Sequence, residues 1–239
     1  MNGAGLFSDL MQHLGGDATA PSSAAARTLD ALRRRIISLD LPPDTVLSRS
    51  ELAREYDVSQ TPVRDALQRL EAEGLVEIFP QSRTVVTRID ADKIAEAVFL
   101  RRAIEVEVMR QLAPVIDDAL LSRLRTIVEM QRALAHKREE LGTFHELDET
   151  FHQTMIAAVG FPGLHRLIRS RSGHLNRVRR LNMWDDTKIG RIIDDHTGVI
   201  AGLETRDPDK AEAAIRKHLG QTIATLDTLR AQHGAYFKD

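Results

Sequence analysis

The chain has 239 residues, with 33 Lys and Arg against 35 Asp and Glu for a formal charge of −2, 42% hydrophobic residues, nine histidines and no cysteine. That length allows one large or two small domains with real cores, while the missing cysteines exclude a disulfide scaffold, a thiolate metal site and a cysteine nucleophile. No apolar run approaches the roughly 20 residues of a spanning helix, and Met1–Leu14 lacks the basic start of a signal peptide, so the expected setting is the cytoplasm with no membrane partner. A balanced charge excludes a generally basic coat, but not a nucleic-acid reader whose cations sit on one helix.

Residues 1–23, rich in Gly, Ala and Ser, read as a tail, with Leu6–Leu14 as a possible helical fragment. From Ala24 to Leu39 the spacing of Leu29, Leu32, Ile36 and Leu39 predicts a helix stopped by Pro42-Pro43. Ser48-Arg49-Ser50-Glu51 has the form of a capping box and starts a short second helix ending near Tyr56-Asp57. A third helix follows Ser59 or Thr61, tolerates Pro62 in its first turn and stops at Gly74 as a left-handed cap. Leu75–Phe79 and Arg83–Thr87 then read as a β-hairpin. Beyond Asp92 the pattern is helical throughout. Segments 92–112, 117–140, 143–159, 162–182, 187–204 and 208–233 are separated by Pro114, Gly142, Gly160-Phe-Pro-Gly and Arg206-Asp-Pro-Asp. The fold class expected is mainly α: a winged helix-turn-helix over 24–90, then an all-helical bundle over 91–235.

In the segment 51–70, Leu52 and Ala53 turn inward, Val58 plugs a turn, and Val63, Ala66 and Leu67 hold the next helix. Such a helix-turn-helix exposes the start of its second helix to a major groove. Ser59, Gln60, Thr61 and Arg64 are the candidate readers, joined by Arg49 and Ser50 at the start of the preceding helix. Gln suits an adenine edge, Arg a guanine edge, and Ser or Thr a phosphate. A bare three-helix packing unit is the plainer alternative. Residues 24–90 hold 10 Arg, no Lys and 11 Asp and Glu, so one copy should bind weakly and a dimer on two half-sites is favoured.

In the bundle, Asp148 and His152 lie four apart on one helical face, while His196 and His218 sit among Ile192, Ile193, Val199 and Ile200, and among Ile215 and Leu219. Three inward imidazoles beside an aspartate suggest a shared cation, although any one of them alone reads as a satisfied core histidine. An oxygen and nitrogen set of this kind suits zinc, nickel, manganese or iron. His13, His136, His145, His165 and His233 have no such partners. The arginine-dense stretch 166–180 reads as a solvated face or an interdomain contact.

The run Ser50-Glu-Leu-Ala, with Val58-Ser-Gln-Thr-Pro-Val-Arg-Asp-Ala-Leu-Gln-Arg-Leu-Glu-Ala-Glu-Gly-Leu-Val, resembles the winged helix-turn-helix of GntR-type bacterial transcription regulators. It departs from the family in carrying Gln60 where Arg is frequent and no glycine at the wing tip Pro80-Gln81-Ser82-Arg83. Leu100-Arg-Arg-Ala-Ile-Glu105, Leu147–His152, His174–Leu181, Asp195-His196 and His218-Leu219 resemble the FCD effector domain of the same regulators. That resemblance implies Asp148, His152, His196 and His218 as ligands of a divalent metal, with zinc the first choice. It implies a neighbouring pocket for a small organic or sugar acid, a homodimer, and double-stranded operator DNA as partner. Arg101 is the candidate clamp on the acid, against a plain ion pair with Glu105, and His174 and Asn176 are candidate lining residues. The competing readings are a metal-dependent hydrolase, and a regulator whose metal is purely structural.

Overall fold

The computed structural model describes residues 23–181, 186–220 and 225–238, which form two compact units. The winged unit uses 23–97, 169–181 and 225–238, and the helical unit uses 98–168 and 186–220. The stretch 1–22, including the possible helix Leu6–Leu14, lies outside the described residues.

The winged unit opens with α1 (Ala24–Ile37), whose N-cap Ser23 accepts from the Ala26 amide and whose Leu29, Leu32 and Ile36 are buried. The capping residue of α2 (Arg49–Glu55) is Ser48, its hydroxyl facing the Glu51 amide. The turn to α3 (Gln60–Ala72) runs through Asp57 at φ +50° and returns the Val58 amide to the Ala53 carbonyl. On α3, Val63, Ala66, Leu67 and Leu70 share a core with α1. Arg33 of α1 ties to the far end of α3 through Glu73. Gly74 stops the helix at φ +75°, the left-handed conformation the sequence predicts there.

The wing holds one strand more than the sequence suggests. Strands β1 (Val46–Leu47), β2 (Val76–Phe79) and β3 (Arg83–Val86) form an antiparallel sheet in the order β1-β3-β2, with Val46 opposite Val85 and Val76 opposite Val86. Two residues make no alternation pattern, so β1 exists only through its pairing with β3. Gln81 takes φ +56° at the glycine-free wing tip, and the Arg83 guanidinium lies 5.1 Å over the Phe79 ring.

Helix α4 (Ala91–Leu112) begins in the winged unit and continues into the helical unit. There it is followed by α5 (Asp118–Leu134), a 3-10 turn (Arg138–Glu140), α6 (Leu141–Ala158), α7 (Pro162–Arg171), α9 (Asp186–Glu204) and α10 (Pro208–Gly220). Met109, Leu112, Leu124, Ile127, Leu147, Phe151, Ile193, Leu203 and Ile215 form one continuous core. At the α9–α10 crossing, a Cβ on Gly202 would stand 3.2 Å from the Ala211 backbone, so the glycine sets how closely these two helices approach.

Two helices expected to be continuous are broken. The segment 162–182 becomes α7 and α8 (Gly173–Leu181), with the Asn176 amide returning to the Ser172 carbonyl. Gly173 sits so close to Leu75 that a Cβ would approach within 2.6 Å, so α8 packs tightly against the residue that follows Gly74. The segment 208–233 becomes α10 and α11 (Leu226–Gln232), with 221–224 outside the described residues.

Helix α8 and residues 225–238 group with the winged unit rather than with the helices that flank them in sequence. The segment joining wing and α4 is the reason. Ile89 donates to the Tyr236 carbonyl and accepts from the Lys238 amide, a parallel bridge at the chain's end. On α8, Arg177 donates to the Thr87 carbonyl at 2.5 Å.

Candidate metal centre and nucleic-acid interface

Helix α6 places Asp148 and His152 one turn apart on its buried face, while α9 supplies His196 and α10 supplies His218. All four are buried, and one ligand atom from each lies within 4.8 Å of the others. The Nε2 atoms of His152 and His218 stand 3.2 Å apart, and His196 Nε2 is 3.4 Å from an Asp148 carboxylate oxygen. The His196 ring stacks on Phe151, with centroids 4.2 Å apart, which fixes its plane. Burial, with His196 and His152 beside it, pushes His218 well below the ordinary imidazole range. Its lone pair is therefore available, which is the form a metal requires. Three imidazole nitrogens and one carboxylate oxygen converging in a dry core fit a divalent transition metal better than they fit each other.

Behind these side chains lies a residue the sequence reading treated only as a helical neighbour of Arg101. Glu105 accepts from Arg101 Nε at 2.8 Å, and its other oxygen is 2.6 Å from His152 Nδ1. Burial would raise this carboxyl, but Arg101 and His152 outweigh it and hold the group well below the usual range, so it stays anionic. A carboxylate can only accept, so it fixes the hydrogen of His152 on Nδ1 and leaves Nε2 for a ligand bond. Arg101 thus makes the ion pair weighed as its plainer reading, and through Glu105 it also abuts the cluster. An i, i+4 Arg–Glu pair is common on helix surfaces. Only its burial at 5% and 2% exposure marks this one out, and that is not written in the spacing.

His174 and Asn176, the other candidate lining residues, fall on α8 in the winged unit and do not join the Asp/His cluster. The His174 ring is already engaged. Its Nδ1 accepts from the Asp90 amide at 3.0 Å and from Arg177, and its Nε2 faces the Gly74 carbonyl at 3.1 Å and donates to it. Burial and the Arg177 charge push it down to about 4, so it stays neutral, as this hydrogen-bond pattern demands. The solvated arginine face also needs correction. Arg166, Arg169 and Arg171 are exposed, but Arg177 is fully buried against Thr87 and His174, with burial pushing it down to about 10. Sequence spacing registers a charge run and cannot see which member turns inward.

All six candidate readers, Arg49, Ser50, Ser59, Gln60, Thr61 and Arg64, are exposed. Four of them cluster at the start of α3, where Ser59 is the N-cap yet makes no side-chain cap bond. The first turn of a 13-residue helix presents amides and partial positive charge to an anion. Among the bystander histidines, His165 is buried on α7 and His136 is exposed, and neither joins the cluster. His13 lies outside the described residues.

Comparison with known proteins identifies the family. A family model described as "Bacterial regulatory proteins, gntR family" matches residues 24–86, and one described as "FCD domain" matches 96–221. An uncharacterized HTH-type transcriptional regulator in an unstable DNA locus of Streptomyces ambofaciens is 32% identical over 206 residues, 86% of each chain. The gluconate operon transcriptional repressor of Bacillus subtilis (strain 168) is 29% identical over 193 residues, 78% of each chain. Among solved structures, E. coli McbR/YncC superposes with a TM-score of 0.74 over 89% of this chain and 99% of its own, at 18% identity, a likeness of fold.

Proposed function

Because the chain belongs to the gntR family of bacterial regulatory proteins and carries an FCD domain, we propose that its hold on operator DNA is set by a small carboxylate bound beside a divalent metal. It is a transcriptional regulator and not an enzyme, and the hydrolase alternative gains nothing from its relatives. The observation that carries the proposal is the convergence of Asp148, His152, His196 and His218 in the core, backed by Arg101 and Glu105.

A cation bound there, with zinc the first choice and nickel, manganese or iron the others, would supply an electrophilic centre with coordination positions beyond these four side chains. Charge supports an acid as the further ligand. With three neutral imidazoles, Asp148, Glu105 and Arg101 carry one net negative charge. A divalent cation makes that one positive, which a monocarboxylate neutralises in a site where uncompensated charge is costly. Arg101 spends Nε on Glu105 and has four further N–H groups suited to the far end of an organic or sugar acid. The gluconate operon transcriptional repressor among the relatives is consistent with a sugar acid as effector and with repression as the outcome.

The test is calorimetric titration of chelator-treated and zinc-loaded protein with gluconate and with short mono- and dicarboxylates. An acid that binds at least tenfold more tightly to the loaded form is expected. Equal binding to both forms would leave the metal a structural tie between helices.

For DNA, the proposed arrangement is a homodimer placing two copies of α3 on a near-palindromic operator, with Ser59, Gln60, Thr61 and Arg64 at base edges and phosphates and Arg49 and Ser50 on the flanking backbone. Arg64→Ala is expected to cost about 1–3 kcal/mol per half-site, the range for a bidentate guanine contact. The measurement is gel-shift affinity for genomic fragments selected by the wild-type protein. Retention of full affinity would remove Arg64 from the interface.

No helix among the described residues is long and apolar enough to cross a membrane. The cytoplasm is the proposed setting, since operator DNA is there.

A further inference from the structure

The structure assigns a positioning role to Gln131, on α5, a residue outside the four-ligand set. This inference rests on reading the Asp/His cluster as a metal centre. Gln131 is fully buried, and its Oε1 stands 2.8 Å from His196 Nδ1. An amide oxygen only accepts, so in this arrangement the His196 hydrogen sits on Nδ1 and is donated to Gln131. Nε2, the atom 3.4 Å from Asp148, then carries a lone pair. Two acceptors at that distance have no hydrogen to share, so they suit a cation between them.

Gln131 and Glu105 therefore do the same job on two different imidazoles, with one difference. Glu105 can only accept, so His152 has one available tautomer. Gln131 carries an amide nitrogen as well. Were its side chain turned over, that nitrogen would donate to His196 Nδ1, the ring hydrogen would move to Nε2, and the ligand atom would be blocked. As it stands, the Gln131 Nε2 is buried without a hydrogen-bond partner, so the orientation is held by its oxygen and by the packing around it. Leaving a buried amide donor unmatched is unfavourable, and an arrangement that does so marks the oxygen as the end that is used.

The role of Gln131 is thus to keep the ring hydrogen on His196 Nδ1 and off Nε2, the nitrogen that faces Asp148. Losing such an outer partner typically weakens metal binding about 10–100-fold.

The experiment uses the full chain. Nitrogen-15 NMR of the metal-free protein reads the His196 tautomer directly, and competition with a chromophoric chelator reads zinc affinity. Hydrogen on Nδ1 is expected in the wild type. Gln131→Met, which keeps the volume but replaces the amide oxygen with a weakly accepting thioether, is expected to give a mixed tautomer and a 10–100-fold loss of zinc affinity. Gln131→Glu, which keeps the acceptor, should restore both to within a few fold. Hydrogen on Nε2 in the wild type, or a Gln131→Met protein with unchanged tautomer and zinc affinity, would overturn the assignment and leave Gln131 a packing residue. The wild-type tautomer needs no variant, so a poorly folded substitution does not remove the test. A wild type that takes up no zinc, nickel or manganese would instead sink the metal reading, while the tautomer still decides the part played by Gln131.

Discussion

Replacing His196 with alanine is expected to weaken the hold of the helical unit on a divalent cation by at least a hundredfold. Structural zinc sites of four ligands bind with about 10–16 kcal/mol, so an even share is roughly 3 kcal/mol per ligand, or two decades. His196 should exceed that share, because it is the most deeply buried of the four and stacks on Phe151, and its loss opens a cavity beside Asp148. Chelator competition on wild-type and His196→Ala protein gives the ratio. Elemental analysis after gel filtration shows whether the variant retains metal at all. His165→Ala, on α7 and outside the cluster, is the control and should bind metal like the wild type. Indistinguishable affinities for His196→Ala and wild type would place the metal elsewhere or nowhere.

A comparably large effect is expected in the winged unit, on stability. Among the described residues Arg177 is the largest of the fully buried side chains, and it donates to the Thr87 carbonyl, the Thr87 hydroxyl and His174. Arg177→Ala leaves a large void and strips the Thr87 carbonyl of a charged donor. Together these are expected to cost about 3–5 kcal/mol. Arg177→Met separates the two contributions, since it refills the volume without the bonds and also removes a cation whose burial is itself unfavourable. It should recover more than half of the loss. Hydrogen exchange at Thr87 and Ile89 during urea unfolding is the right observable, because a chain of two units need not unfold in one step. If Arg177→Ala leaves exchange at these amides unchanged, the guanidinium does not anchor the joining segment.

Much of the local structure is legible in the sequence because it is fixed by local chemistry. Ser48 caps a helix because a hydroxyl three residues ahead of an amide can reach it, and Gly74 ends one because a left-handed residue without a Cβ has no clash there. That Asp148 and His152 share one helical face follows from their separation by one turn, and the inward placement of His196 and His218 from their apolar neighbours. What is not legible depends on partners distant in the chain. Strand β1 is two residues that become a strand only opposite β3, and the break before Gly173 comes where the chain approaches Leu75, about a hundred residues earlier. Arg177 reads as one more member of a charged run until Thr87 is beside it. Glu105 and Gln131 carry no signature at all, since an outer acceptor needs only to stand behind an imidazole, and no spacing rule places it there.

The hydrogen bonds that Ile89 makes with Tyr236 and Lys238 have a consequence for the order of events during synthesis. Helix α3 and the wing leave the ribosome early, but Arg177 follows about ninety residues after the wing, and Tyr236 and Lys238 about 150 residues after it. At bacterial translation speeds that interval is roughly 10–30 s. In a nascent chain α3 and the wing are therefore complete well before the segment behind the wing is pinned. The segment between the wing and α4 thus acquires its hydrogen bonds to Arg177, Tyr236 and Lys238 long after the residues on either side of it have been made.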